Sequence, residues 1–367
     1  MTGTPGVPQS SARSTGRWLR PVAGVLVAAV FLYLTLHRLE WAAIREAWRS
    51  AAPGAIGLAL LALAAGYATR IARWWVMLRV LDPNLPYSSC VRPFLGSLAV
   101  NNTMPLRAGD FVRAFGFRGL LRAPPAKIVG TLVVERVLDL VVLLALFFVG
   151  LVGVARGAVP QGFITAGTVL FALSLAGVLA LVLAPRAVEW FVARALLGPL
   201  ARWGGRSGRV ATRLHGAAEQ LFGTLTQVLT PGRAAVLLAL SVVSWGLEGG
   251  VYAAVAWALH SHTAPFGPFF ALATGTLATL LPSSPGYVGT FDYFATLGLT
   301  AYGATRIAAA AFALLTHFVL WLPPTIAGGL CFVSLRGRGM QAEGAQSAAS
   351  TAVPTGNSLL QAEDNVQ

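Results

Sequence analysis

A chain of 367 residues that is 56% hydrophobic and 11% charged lies far from the roughly 25% charged residues of soluble proteins, and is predicted to be an integral membrane protein. Its net charge of +14 would point to nucleic acid in a soluble chain. Here the basic residues, all arginine except Lys127, fall mainly between apolar runs and act as topology signals, which excludes nucleic acid as a partner.

Residues 1–17 are rich in Ser, Thr, Gly and Pro and are expected to form a disordered tail. The apolar run 19–36 lacks a small-residue cleavage site and reads as a retained first helix. Runs of about 20 residues or more follow at 54–76, 128–153, 162–184, 234–258 and 307–335, giving six predicted full spans. Residues 339–367 are rich in Ala, Ser, Gln and Gly and are expected to be a second disordered tail.

Two apolar regions, 91–120 and 266–304, are broken and do not fit as spans. The first contains Pro105, Gly109 and Phe111; the second repeats that spacing as Pro285, Gly289 and Phe291. Proline cannot continue a helix through such a point, and glycine supplies the backbone angles of a tight reversal. Each region is therefore predicted to be a re-entrant hairpin that returns to its side of entry. With the N-terminus cytoplasmic, most of the 27 basic residues fall on the cytoplasmic side, Arg70 and Arg73 among them. Only Arg38, Arg45, Arg49, Arg156 and Arg306 fall outside. The expected fold is an all-α polytopic membrane protein of the cell membrane with both termini cytoplasmic. Its domain, 18–338, divides into halves 18–155 and 160–338 related as an inverted repeat, each with three spans and one hairpin.

The chemistry sits on the few charges inside apolar runs. Glu135, Arg136 and Asp139 fall within 128–153, where each charge costs at least ~2.5–3.5 kcal/mol at the bilayer centre. Glu135 and Asp139 share a helix face, and Arg136 reaches Asp139 one turn on. They read either as a structural ion-pair knot or as part of a substrate path. Glu248 has no basic residue in its own helix and reads as a proton site, a partner for a hairpin arginine, or a neutral acid. Asp292 follows the second break, and Arg107, Asp110 and Arg113 follow the first. Helix N-termini and guanidiniums both suit phosphate. Asn101, Pro105, Gly109, Pro282, Ser283, Ser284, Pro285, Gly286, Gly289 and Thr290 are expected to shape the hairpin tips. Cys90, Cys331 and five scattered histidines show no metal spacing, so neither metal nor cofactor is expected.

Three motifs carry a family likeness. Asn101, Met104-Pro105, Arg107-Ala108-Gly109-Asp110 and Arg113 come first, then Glu135-Arg136 and Asp139, then Leu281-Pro282, Pro285-Gly286 and Gly289-Thr290-Phe291-Asp292. In this order they resemble the lysylphosphatidylglycerol synthase transmembrane (flippase-like) family over residues 18–338. The resemblance implies a membrane domain that moves lipids between leaflets. In the two-domain synthases a separate soluble domain aminoacylates phosphatidylglycerol, and a standalone member without that domain is expected here. The expected function is transport of a phosphate-bearing lipid rather than catalysis. Arg107 and Arg113 would hold the phosphate, and Asp110, Glu135, Asp139, Glu248 and Asp292 would line the polar cavity, organised by Arg136. Membrane lipids are the expected partners. The alternatives are a non-transporting partner of a cell-envelope or glycolipid synthase, or an intramembrane transferase.

Overall fold

The computed structural model describes residues 29–35, 37, 40–104, 108–121, 123–154, 161–192, 194, 216, 219–281 and 284–351, with most of their side chains as far as Phe332. The tail 1–17, most of the run 19–36, and Pro105, Arg107, Pro282 and Ser283 lie outside the described residues. Among the described residues the regular structure is entirely helical.

The elements used below are α1 (Trp41–Arg49), α2 (Pro53–Leu78), α3 (Ser88–Thr103), α4 (Ala108–Phe115), α5 (Pro125–Val152), α6 (Gln161–Leu183), α7 (Pro231–Ala258), α8 (Gly267–Ala278), α9 (Thr290–Thr300) and α10 (Arg306–Thr351). Proline opens α2, α5 and α7, where its missing amide would have had no helical partner. Six spans are predicted from the sequence. Among the described residues four helices are long and apolar enough to cross a bilayer: α2, α6, α7 and the Arg306–Phe332 part of α10. Helix α5 has 28 residues, about 42 Å of helix and enough to cross, but it carries Glu135, Arg136 and Asp139. Helix α10 runs on into the stretch expected to be a tail.

Both broken regions form helix pairs. The first is α3 and α4, separated at 104–107; the second is α8 and α9, separated by a 3-10 turn, Pro285–Tyr287. Gly286 has φ 70° and Gly289 φ 85°, the left-handed region that the reversal requires and that glycine enters without a Cβ clash. Close approach of the paired helices also depends on glycine. A methyl group on Gly109 of α4 would strike the Ser97 carbonyl of α3, and one on Gly298 of α9 would strike the Thr274 hydroxyl of α8.

The packing follows a two-fold pattern. Helices α2 and α7 pack against each other most extensively. In the first pair α3 lies on α10 and α4 on α5; in the second, α8 lies on α5 and α9 on α10. Exchanging α2 with α7, α3 with α8, α4 with α9 and α5 with α10 maps the α2–α7 contact onto itself and each of the others onto another. One core joins α2, α7, α8, α9 and α10 through Leu63, Trp245, Tyr252, Leu272, Phe291 and Phe312. A second packs around Trp74, Met77, Phe94, Leu138 and Leu237.

Candidate functional site

The charges of α5 meet one another through Arg136, 3.6 Å from Glu135 and 3.9 Å from Asp139. Each is tied to an arginine or acid from another helix. Arg73 of α2, fully buried, donates from Nη1 to Asp139 Oδ1 at 2.6 Å and to Ser241 Oγ of α7 at 2.7 Å. Trp245 Nε1 donates to the same Asp139 oxygen at 3.0 Å. Arg113 of α4 donates to Glu135 Oε2 at 2.8 Å, its guanidinium held 4.5 Å from the Trp74 ring centre and 4.7 Å from that of Phe94. Such closed pairing is what a low-dielectric interior demands, because a lone charge there costs several kcal/mol.

Two arginines of α2 pair inside the fold. Arg70 and Arg73 count as cytoplasmic anchors in the sequence, yet both turn inward. Arg70 Nη2 lies 2.6 Å from Glu248 Oε2 and stacks 4.4 Å from the Trp245 ring centre. Glu248 therefore has a basic partner, supplied by α2 rather than by a hairpin. Arg113, expected on a phosphate, has a side chain only 2% exposed and spends its charge on Glu135. Its ring-stacked, buried position suits scaffold better than an opening.

Arg136 is the exception. Its side chain is 42% exposed, and it reaches Asp110 of α4 at 3.3 Å, Glu135 at 3.6 Å and Asp139 at 3.9 Å. Asn101 positions that acid: its Nδ2 donates to Asp110 Oδ1 at 3.3 Å, while its Oδ1 accepts from the Gly109 amide at 2.8 Å. The Gly109 amide belongs to the first turn of α4 and has no helical acceptor, so Asn101 satisfies a helix end that lies near the first break.

The second pair repeats this arrangement with different chemistry. Asp292, 1% exposed in the first turn of α9, accepts from the Gly289 amide through Oδ2 at 2.9 Å, returning to the N-cap as a capping carboxylate does. Its Oδ1 lies 2.8 Å from His317 Nδ1 on α10, and His317 Nε2 lies 2.8 Å from the Gly286 carbonyl. Both oxygens accept, so the ring fills both contacts only when it carries two protons. After each break, then, a first-turn carboxylate on the second helix of the pair meets a basic residue on the next long helix. Asp110 and Arg136 are 26 residues apart, Asp292 and His317 25. In the sequence His317 is one of five scattered histidines. The recurrence of an acid–base pair at nearly equal separation after two similar breaks was the signal that could have found it.

One face of α10 also holds both tips. His317, Trp321 and Thr325 follow each other at four-residue steps. Trp321 Nε1 donates to the Asn102 carbonyl at 3.1 Å, and Asn102 Nδ2 donates to Thr325 Oγ1 at 2.8 Å. A Cβ on Gly286 would lie 3.3 Å from that Asn102 carbonyl oxygen, so the two breaks adjoin. The last-turn carbonyl of Asn102, which has no acceptor role left within α3, is thereby satisfied by protein. Ser284 Oγ donates to the Val288 carbonyl at 3.1 Å, a contact within the tip itself, and Thr290 is fully buried at the start of α9. Replacing Trp321 with Phe keeps the ring but strands the Asn102 carbonyl. A loss of about 1–3 kcal/mol is expected, read as a lower melting temperature in detergent.

The profile of the lysylphosphatidylglycerol synthase TM region matches residues 22–328. The chain belongs to this family. Among curated proteins it is similar to glycosyltransferase AglD of Haloferax volcanii, 27% identical over 339 residues, which is 84% of this chain and 53% of that relative. The chain thus spans about half the length of the curated relative it matches. Membership in the lysylphosphatidylglycerol synthase TM family, with the four long apolar helices, makes this a multi-pass membrane protein. Together the two likenesses support work in lipid or glycolipid metabolism.

Proposed function

We propose that the protein moves a phosphate-bearing phospho- or glycolipid between the leaflets of the cell membrane, and that α3–α4 and α8–α9 are opposed re-entrant hairpins. The observation that carries this reading is the two-fold exchange of contacts. Two broken helix pairs, each tied by a first-turn acid to a basic residue on the next long helix, adjoin at their breaks. Broken helices at corresponding places in two halves mark the binding region of secondary transporters. In this reading the N- and C-termini are cytoplasmic, and the first hairpin enters from the cytoplasm and the second from outside. Asp110 and Arg136 meet the lipid head group. Glu135, Asp139 and Glu248, with their arginines, form the rigid polar wall behind them, and Asp292 with His317 fixes the second tip. The chain acts as a transporter and not as an enzyme.

Purified protein in liposomes tests this directly. Fluorescent phospholipids and glycolipids in the inner leaflet should reach the outer one at rates that rise with the amount of protein. Rates no faster than in protein-free liposomes across a broad lipid panel would remove the reading.

A second reading is favoured by the likeness to glycosyltransferase AglD: a non-transporting partner of a glycolipid synthase. Loss of a glycolipid product in cells lacking the protein, with leaflet exchange absent in liposomes, would favour it.

A further inference from the structure

We propose that His317 is a proton-binding site: charged, its ring clamps the second break onto α10, and on losing one proton it lets the break go. The clamp stands on geometry alone. That the proton drives lipid movement rests on the lipid-translocation reading, to which it adds a coupling ion.

Two acceptors face the ring. His317 Nδ1 lies 2.8 Å from Asp292 Oδ1, and Nε2 lies 2.8 Å from the Gly286 carbonyl oxygen. A neutral imidazole carries a single N–H and serves only one of them. The carboxylate is the stronger acceptor, so the proton that stays sits on Nδ1. Nε2 then turns its lone pair toward the carbonyl oxygen, and that contact opens while the one to Asp292 persists. The His317 side chain is 15% exposed and that of Asp292 1%, so the imidazole is the member of the pair that water reaches.

The break is held in a conformation that needs support. Gly286 has φ 70°, Tyr287 60° and Gly289 85°. A bulky residue such as Tyr287 keeps to the left-handed region only where its surroundings fix it. Asp292 fixes one end of the turn through the Gly289 amide at 2.9 Å, and His317 fixes the other through Gly286. Gly286 also sits against Trp321: a Cβ there would lie 3.0 Å from Nε1, the atom that donates to the Asn102 carbonyl of the first break. Release of Gly286 therefore reaches the seam between the two breaks.

The elements packed on α10 bring one charged partner to the ring, Asp292 of α9. The Phe291 ring lies beside it at 4.9 Å between centres, and Tyr287 follows Gly286 in the turn. From α7 comes Tyr252, whose ring packs on those of Phe291 and Phe312. Glu248 of α7 is taken by Arg70 of α2 at 2.6 Å, and Tyr67 of α2 packs on the same core. From α3 comes the neutral Asn102, held by Trp321 and Thr325. Helix α1 meets α10 at Ala310 and Ala311, with Arg45, Glu46 and Arg49 exposed.

The test uses the full chain in bilayers with His37, His215, His260 and His262 replaced by Gln, which leaves His317 as the one imidazole of five. Nitrogen-15 spectra of labelled histidine read its protonation between about pH 5 and 9, a span centred on histidine's ordinary range. A spin label on a cysteine at Ser284 reads the mobility of the break. The expected result is a doubly protonated ring at the acid end, a singly protonated one at the alkaline end, and a label that is freed over the same step. His317→Gln, which cannot change charge, should remove the pH dependence of the label. A ring that keeps one form throughout, or a label that does not follow the ring, would overturn the clamp. So would a label still responding to pH in a folded His317→Gln protein. Liposomes holding a difference of about one pH unit test the coupling: at one proton per lipid, the leaflet ratio of a labelled lipid should shift about tenfold. Exchange that ends at the same ratio with and without the pH difference would overturn the coupling and leave translocation standing. No exchange at all would remove translocation and the coupling with it, while the ring and label spectra decide the clamp.

Discussion

Arg113→Leu should leave little folded protein. Its guanidinium is Glu135's closest partner, and both side chains are nearly sealed from the surface. Removing one member of a buried pair typically costs about 3–5 kcal/mol, because the other charge is left uncompensated. That is a large share of a total stability of roughly 5–15 kcal/mol. Arg136, 3.6 Å from the other Glu135 oxygen, can take up part of the charge, which places the loss toward the lower end. The double variant Arg113→Leu/Glu135→Leu removes both charges while keeping much of the packing volume. It should recover most of the lost material, since an apolar replacement of a buried pair is often neutral or better. Fluorescence-detected gel filtration of the detergent extract, with melting curves on what elutes, reads both. Equal loss in the single and double variants would show that packing, and not the ion pair, sustains this part of the fold.

Gly109→Ala should be nearly as damaging although it adds one methyl group. That methyl would fall on the Ser97 carbonyl and within 2.8 Å of the Asn101 side chain. A backbone carbonyl in the adjacent helix cannot rotate aside, so α4 must move off α3, and the Asn101 bond to the Gly109 amide breaks with it. About 3 kcal/mol is expected, the upper part of the range for overpacking. Gly57→Ala is the matched control, because nothing lies within 4 Å of a Cβ there. It should leave stability unchanged or slightly raised through better helix propensity. Melting temperatures of the two variants in the same detergent decide the point.

The sequence discloses the elements more readily than their partners. Continuous apolar runs near 54–76, 162–184, 234–258 and 307–335 correspond to α2, α6, α7 and the apolar part of α10, because length and hydropathy alone decide whether a helix can cross. The breaks at 104–107 and 279–289 were equally legible, since proline and glycine act locally. Charge partners were not legible. Arg70 and Arg73 stand at the end of an apolar run, where an arginine ordinarily snorkels to the surface. What turns them inward is Asp139, 66 residues from Arg73, together with Glu248 and Ser241 on α7. No periodicity in α2 records that. His317 escaped notice for the same reason: its partners, Asp292 and the Gly286 carbonyl, come from a different element and from the backbone. Asp110 and Arg136, singled out from the sequence, do meet.

In the proposed transporter both chain reversals lie deep in the lipid and close to each other. Spin labels on cysteines introduced singly at Met104 and Ser284, with Ser50 as a surface control and the protein in bilayers, report depth through collision with oxygen and with a water-soluble nickel chelate. Both tip labels should show high oxygen and low nickel accessibility, at similar depths near the bilayer centre, while Ser50 shows the reverse. Either tip label at head-group depth, with nickel accessibility matching Ser50, would contradict the opposed-hairpin arrangement and the transport path built on it.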